Sequence, residues 1–542
     1  MLNVTAVTRS VLESRPLGHS FAARARLAWA FVGVATVVLV GRALLAERQT
    51  VDDVFIFLRY ARRLAEHGEF AFNSGLHVEG TSSVIWTLLV ALAWRAGLHG
   101  VGAAKGLSLA AGALVPAVSG LAVRRAAPER PLCLAVPAIA LALDADLATW
   151  ASSGMDTALW TLACVGCVAL AAARRERAAA VMAGALAWVR PEGPLFAVAA
   201  VAALARDRRS AVRLAILAGV PIAVLSLSRV AYFHDVLPNT FWAKMHSPAE
   251  GRDYSGLGYV ASALERRPLL LILVPLAAWR LRPGPAGRLA LAFLASSVAF
   301  ALAAGGDWMP DRRLLVVALP MAAIAGAIAM GTVRVASLAL ASTAVLAMEA
   351  ALTFDHAIDQ RWRSIEWVDE RLSSYRPSAR PFVDPYPLDW MPTHLLHDLA
   401  PFVAPGDAVA HVDMGELPYV MGDVAFLDGF GLVDRPAGRL AFAPHSEVLR
   451  AAAREEFFEL RPAAVIVVID EGTGHPFSAA QDAALEDPRF AAQWRELGRV
   501  PTWGDHPCVT YVRRDLRPAR ADVAASRTSA WLYRVPEVKA PF

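Results

Sequence analysis

The chain has 542 residues, 56% of them hydrophobic and 19% charged, against about 45–50% and about 25% in soluble globular proteins, which excludes both an ordinary soluble protein and a disordered one. Lys and Arg total 53 against 49 Asp and Glu, and a net charge of +4 over this length excludes wholesale nucleic-acid binding, so no nucleic acid is expected as a partner. Four cysteines make no disulfide scaffold; Cys164 and Cys167 form a CxxC inside an apolar run with no histidine or second pair beside it, and no metal or cofactor is expected.

In chain order, Arg9, Arg15, Arg24 and Arg26 lead into an apolar stretch from Leu27 to Leu45, long enough at about 1.5 Å per residue to cross a bilayer, with Arg42 near its far end where it can snorkel. It reads as an uncleaved signal-anchor. Apolar runs follow at 102–123, 131–143, 156–173, 178–189, 194–205, 211–231, 268–279, 289–304, 314–331 and 335–353, giving eleven candidate spans with the first. Those at 131–143, 178–189 and 194–205 fall below the roughly 17 residues of a full span and must borrow polar flanks.

One more apolar run, Ser83 to Trp94, is left out of the count because of the basic clusters. If it does not cross, the N-terminus, Arg124-Arg125 with Arg130, Arg174-Arg175 with Arg177, Arg206 with Arg208-Arg209, Arg280 with Arg282 and Arg288, and Arg334 all fall on the cytoplasmic side. Residues 47–101 then form one long exterior loop whose apolar part lies in the interface or re-enters. Beyond Leu352 the composition changes, and 354–542 reads as a small exterior α/β domain, with β-rich runs at 408–412, 424–428, 464–469 and 508–513 and a helix-like stretch at 445–460. The expected fold class is mostly α: a polytopic membrane domain of about 11 transmembrane helices over 1–353, followed by a soluble C-terminal α/β domain over 354–542.

The exterior loops carry most of the membrane-proximal acids, and no span has a charge near its centre, which disfavours a transporter with ionisable groups at mid-bilayer. Asp52-Asp53 opens an amphipathic helix with apolar positions at Phe57, Leu58, Ala61 and Leu64. An aspartate there is ordinarily an N-cap, but of two adjacent acids one can cap while the other serves as general base towards a sugar hydroxyl. Arg190-Pro-Glu192-Gly193 is either a solvated turn or a cation held for a phosphate oxygen. Lys244, after Pro238-Asn239, and Arg312, after Gly305-Gly-Asp307, are further exterior cations that read singly as headgroup anchors and together as a cradle for a lipid phosphate. Asp156 in Ser152-Ser-Gly-Met-Asp156 can cap the next helix, and Glu79-Gly-Thr81 is equally ambiguous. No Walker loop, HExxH or GxSxG motif is present, which excludes the familiar ATP-driven, zinc-protease and α/β-hydrolase signatures.

Asp52-Asp-Val-Phe-Ile-Phe-Leu-Arg-Tyr60, Asn73-Ser-Gly-Leu-His-Val-Glu-Gly80 and Trp86-Thr-Leu-Leu89 resemble the first exterior loop of the polytopic C-type (GT-C) glycosyltransferases, and more narrowly the terminal β-(1→2) arabinofuranosyltransferases and their bacterial relatives. Ser153-Gly-Met-Asp-Thr157, Arg190-Pro-Glu-Gly193, Pro238-Asn-Thr-Phe-Trp-Ala-Lys244 and Gly305-Gly-Asp-Trp308 follow in that family's order, as do Asp413-Met-Gly-Glu-Leu-Pro-Tyr419 and Asp428-Gly-Phe-Gly-Leu-Val-Asp434 in the tail. The resemblance implies inverting transfer of a sugar, with arabinofuranose the best-known case, from a polyprenyl-phosphate donor to a cell-envelope glycan or lipid acceptor. It implies the inner membrane of a bacterium, with the N-terminus cytoplasmic and the tail periplasmic, and membrane lipid around the spans. The resemblance implies that an aspartate opening the first loop is the base, with Asp53 preferred and Asp52 supporting or capping, and leaves open which of the two it is. Arg190, Lys244 and Arg312 are set on the donor phosphate, and Arg59, Glu79, Asp156, Glu192, Asn239 and Asp307 on the substrates. Arg313 competes with Arg312 for the place facing the site. The rival readings are a flippase for a lipid-linked sugar and a non-catalytic envelope assembly protein.

Overall fold

The computed structural model of the chain describes residues 17–45, 51–245, 256–267, 284–307, 309, 312–330, 390–470, 472–501 and 507–533. The expected spans at 268–279 and 335–353, the basic positions Arg9, Arg15, Arg280, Arg282 and Arg334, and Trp308 lie outside the described residues.

Helix α1 (Leu17–Leu45) contains the apolar stretch Phe21–Leu45, long enough to cross a membrane. Helix α2 (Asp53–His67) is amphipathic, buries Val54 to Ala61, and stops at Gly68, whose φ of 73° lets its N–H reach the Leu64 carbonyl at 3.1 Å. Helix α3 (Val84–Arg95) is the run left out of the span count. Ser83 caps it, accepting from the Trp86 N–H at 3.3 Å, and its 12 residues reach about 18 Å, well short of a bilayer core of about 30 Å.

Helix α4 (Gly100–Ala126) is a full-length span. The 131–143 run continues as α5 (Ala135–Leu143) and, after a 68° bend, α6 (Ala145–Ser152). Asp144 makes the break, because its Oδ1 accepts the Asp146 N–H at 3.1 Å and so starts a fresh helix. Arg267 then clamps the corner, hydrogen-bonding Asp144 at 3.2 Å, Asp146, and the Leu315 carbonyl at 2.9 Å.

Helices α7 (Thr157–Ala172), α8 (Glu176–Ala185) and α9 (Gly193–Leu204) are short, with 16, 10 and 12 residues. Helix α10 (Arg208–Phe233) is a second long span after α4, and α8 packs on it where Gly184 meets the backbone of Ala218 with no room for a Cβ. There follow α11 (Asn239–Met245), α12 (Gly256–Arg266), α13 (Pro285–Ala303) and α14 (Ala318–Met330). Among the described residues five helices are long and apolar enough to span, six if the bent pair counts as one. Composition marks a run as apolar, but breaks such as Arg174 at φ 60° and Pro191 to Gly193 set its length.

The tail opens with α15 (Trp390–Leu399), then β1 (Ala408–His411), α16 (Glu416–Val420), β2 (Ala425–Asp428), α17 (Arg435–Phe442), α18 (Glu447–Leu460), β3 (Ala464–Val468), β4 (Trp494–Pro501) and β5 (Pro507–Arg513). The strands form one sheet in the order β2-β1-β3-β5-β4, parallel across β2, β1 and β3 and antiparallel at β5 and β4. Four strands coincide with the β-rich runs of the sequence. β4 does not, being an edge strand with a register break between Glu496 and Gly498, so only one side of it needs a strand's pattern.

The carboxyl ends of β1 and β2, the edge where open α/β sheets carry their ligand sites, face the membrane half. Asn73 pairs with Phe426 of β2 through both amide groups, at 2.7 and 2.9 Å, as a neighbouring strand would. Asn239 donates to the carbonyls of Gly431 and Asp434 at 2.6 and 2.7 Å, and Arg435 donates to the Phe233 carbonyl at 2.6 Å. The mostly helical membrane half and the small α/β tail are thus locked together through the 47–101 loop and through Phe233 and Asn239.

Candidate functional site

An α-helix turns about 100° per residue, so Asp52 and Arg59, seven positions apart, share one face of α2 while Asp53 looks out roughly a quarter-turn away. The Asp52 face meets the tail. Asp52 stands at the N-cap position but makes no capping bond; its Oδ1 accepts the Glu416 N–H at 2.9 Å. Burial, then the facing Asp413 carboxylate, hold Asp52 well above the usual carboxylate range. Arg59 is buried and spends its N–H groups on the carbonyls of Phe72 (2.9 Å), Val424 (2.8 Å) and Pro418, and on Asn73 Oδ1 (3.3 Å). Burial pulls it down to about 9, with the neighbouring Arg63 and Arg62 adding to the effect.

The Asp53 face meets the membrane half. Asp53 is half-buried, and its charge acts on Arg313, as do those of Asp307 and Asp156. Arg313 Nε donates to Asp307 Oδ2 at 2.8 Å, with its guanidinium 5.9 Å from the Trp150 ring centre. Arg312 turns the other way. Its backbone is left-handed (φ 46°), a conformation costing about 1–3 kcal/mol in a non-glycine residue, and its Nε donates to Ser262 Oγ at 2.8 Å. The reversal is pinned on both sides: Ser297 Oγ donates to the Leu314 carbonyl at 2.8 Å, and the Leu314 N–H reaches Tyr259 Oη at 3.3 Å.

Asp156 arrives on the turn before α7. Gly154, at φ 80°, brings that turn within contact of Val54 of α2 and Lys105 of α4, and Trp86 Nε1 donates to the Gly154 carbonyl at 3.2 Å. Asp156 is 2% exposed, makes no capping bond, and its Oδ2 has no hydrogen-bond partner among the described residues. The charges of Arg190, Arg313 and Glu192 all act on it. Arg190 Nε stands 2.7 Å from Glu192 Oε1, but without hydrogen-bond alignment, so Nε and Nη1 are buried with no hydrogen-bond partner among the described residues.

Asp53, Asp156, Arg190, Glu192 and Asp307 are therefore brought into one charge cluster, buried at Asp156, Arg190 and Glu192 and half-buried at Asp53 and Asp307, and Arg313 joins it where the sequence left Arg312 and Arg313 open. Six other expected positions lie elsewhere, among them Arg312, which turns to Ser262. Asp52 and Arg59 face the tail. Glu79 is closed onto Arg229 by two hydrogen bonds of 2.7 and 2.9 Å, and Asn239 spends its amide on the tail's carbonyls. Lys244 is exposed near the end of α11, just before residues 246–255, which are outside the described set. Sequence reasoning gave no role to Lys105, a buried cation that stood out as the one charge in the 102–123 run, nor to Arg229. Cys164 and Cys167 are buried and unpaired, as small hydrophobes are.

The same architecture occurs in solved structures. ArnT from Cupriavidus metallidurans bound to undecaprenyl phosphate matches with a TM-score of 0.51 at 12% identity over 89% of this chain and 97% of that one. ArnT in the apo state matches with 0.51 at 13% over 90% and 98%. The archaeal oligosaccharyltransferase AglB from Archaeoglobus fulgidus, in complex with an inhibitory peptide and a dolichol-phosphate, aligns at 0.47 and 11% over 81% and 69%. No protein-family model matches the sequence, and no curated protein matches it. At these identities the likeness is one of fold. The chain is an integral membrane protein with the GT-C fold.

Proposed function

We propose that this protein is an inverting glycosyltransferase that moves a sugar from a polyprenyl-phosphate donor to a cell-envelope glycan or lipid on the exterior, periplasmic face of a bacterial inner membrane. The observation that carries this reading is a pair of unmet hydrogen-bonding needs in one buried place: Arg190 with two unbonded donors and Asp156 with an unbonded acceptor, next to Asp53 and Arg313. Buried polar atoms are normally satisfied, and a site that leaves them open is furnished for a ligand with both an anion and hydroxyls. A phosphate accepts from Arg190 and Arg313; a sugar hydroxyl donates to Asp156.

In the reaction the acceptor hydroxyl attacks the anomeric carbon while the bond from that carbon to the phosphate oxygen breaks. Asp53 takes the hydroxyl proton, and the electron pair leaves with the polyprenyl phosphate, whose growing charge the two guanidiniums stabilise. Glu192 and Asp307 hold the arginines in place. The undecaprenyl phosphate bound by ArnT, a protein of like fold, supports a lipid phosphate as the leaving group. Arabinofuranose is the first sugar to try, because the first-loop motifs resemble the arabinofuranosyltransferases.

The test is to incubate purified protein with a panel of polyprenyl-phosphate sugars and an envelope extract, and to measure released polyprenyl phosphate and glycosylated product. Release that depends on Asp53 supports the reading. Transport of an intact lipid-linked sugar in proteoliposomes, with no glycosidic product, overturns it.

A further inference from the structure

Where α2 lies against the tail, a cavity of about 190 Å³ opens between them, lined from the helix by Arg59, Arg62, Arg63 and Glu66 and from the tail by Gly422 and Asp423. Positions 59, 62, 63 and 66 are three or four residues apart and so share one stripe of the helix. Arg59 is spent on the carbonyls of Phe72, Pro418 and Val424, but the other two arginines keep donors open. Arg62 gives its Nε to Glu66, at 3.1 and 3.3 Å, and its Nη groups make no hydrogen bond among the described residues; a Cβ at Gly422 would stand 3.1 Å from Nη1. Arg63 gives its Nη2 to Glu69 at 2.5 Å, while its Nε is buried with no hydrogen-bond partner among the described residues. Arg62 follows Asp53 by nine residues and therefore looks out on the opposite side of α2, so the cavity is separate from the charge cluster.

The lining selects among anions. Arg62 and Arg63 offer N–H groups to an oxyanion, and exposed Glu66 is its rival for Arg62. Asp423, which accepts from Trp531 Nε1 at 3.1 Å, adds a carboxylate on the tail side that accepts from a hydroxyl and repels a bare anion. A sugar acid suits both, bringing a carboxylate for the arginines and hydroxyls for Asp423. We propose that this cavity binds an acidic sugar residue of the acceptor glycan, with its carboxylate on Arg62 and Arg63 and a hydroxyl on Asp423. That the glycan is an acceptor rests on the transferase reading. Because Asp53 faces the other way, the cavity holds a residue other than the one that reacts, and it sets which envelope glycans are accepted.

The experiment measures binding to the full chain in detergent of an oligogalacturonate, a neutral oligogalactose of the same length, inorganic phosphate and dihexanoyl phosphatidylglycerol. The wild type is expected to bind the oligogalacturonate and not the neutral chain. Arg62→Gln and Arg63→Gln should each weaken that binding about tenfold or more, as loss of a charge-assisted hydrogen bond does. Glu66→Gln removes the rival acid and should tighten it about two- to fivefold, a gain that misfolding does not imitate. Oligogalacturonate that fails to bind, or binds regardless of Arg62 and Arg63, overturns the proposal. So does phosphate or the short-chain lipid binding as tightly as the oligogalacturonate. A protein that binds the acidic chain through these arginines and transfers no sugar overturns the transferase reading instead, and the cavity stands as a site for acidic glycan.

Discussion

Glu79 and Arg229 meet as a closed pair, two hydrogen bonds between buried side chains with nothing left over on the carboxylate, whereas Arg190 beside Asp156 keeps two donors and an acceptor unbonded. Both sets are acids and arginines that cost desolvation to bury. The first recovers that cost within the protein and ties the first loop to the end of α10. The second is left short among the described residues, as the proposed ligand site requires. Satisfaction of hydrogen bonds, more than burial or charge, therefore separates the closed ion pair from the candidate site here.

Substitutions that treat the two sets alike should give opposite outcomes. The largest effect is expected at Asp53: Asp53→Asn should lower transfer by roughly 10²–10⁴-fold, the usual worth of a general base, with no change in the thermal midpoint. Activity near wild type would leave the cluster without a base. Arg190→Lys keeps the charge and loses the planar fork, so released polyprenyl phosphate should fall about 10- to 100-fold while the melting curve hardly moves. The same exchange at the closed pair, Arg229→Lys, breaks a bidentate contact and should cost about 1–3 kcal/mol of stability, with activity falling only as folded protein is lost. If Arg190→Lys instead unfolds the protein and Arg229→Lys instead stops transfer, the contrast is reversed.

The smallest effect is expected far from both. Burial, with the charge of Asp434 next, raises Glu456 to about 8, above its unfolded value of about 4.3. A raised carboxyl favours the fold while protonated, so its contribution is complete below about 4.3 and is lost as the pH climbs through about 8. Glu456→Gln should therefore flatten the fall of the melting temperature between about pH 4.3 and about pH 8, without affecting transfer at neutral pH.

Much of the fold was legible because uniform apolarity is a local signal. The sequence marks α1, α4, α10 and α13 as long runs, and the basic clusters already argue that Ser83 to Trp94 does not cross. The clamp on the Asp144 corner was not legible, since Arg267 arrives from more than a hundred residues away. The site residues fall between these extremes. Asp52-Asp53 and Arg312-Arg313 are visible as doublets, but which member faces the cluster is a matter of one residue of rotation: the helix begins at Asp53, and the left-handed backbone at Arg312 swings Arg313 inward. Partners such as Glu79 with Arg229, 150 positions apart, or Asp52 with the Glu416 N–H, 364 apart, leave no trace in a single sequence.

The grip of Arg59 on Pro418 and Val424, together with the seat of the 413–416 turn on Asp52, has a consequence for biogenesis. These contacts come from the last third of the chain, so the ribosome must deliver nearly the whole polypeptide before the start of α2 is finished. A nascent or prematurely terminated chain, even with its helices already inserted, would lack the contacts that set Asp53 in place.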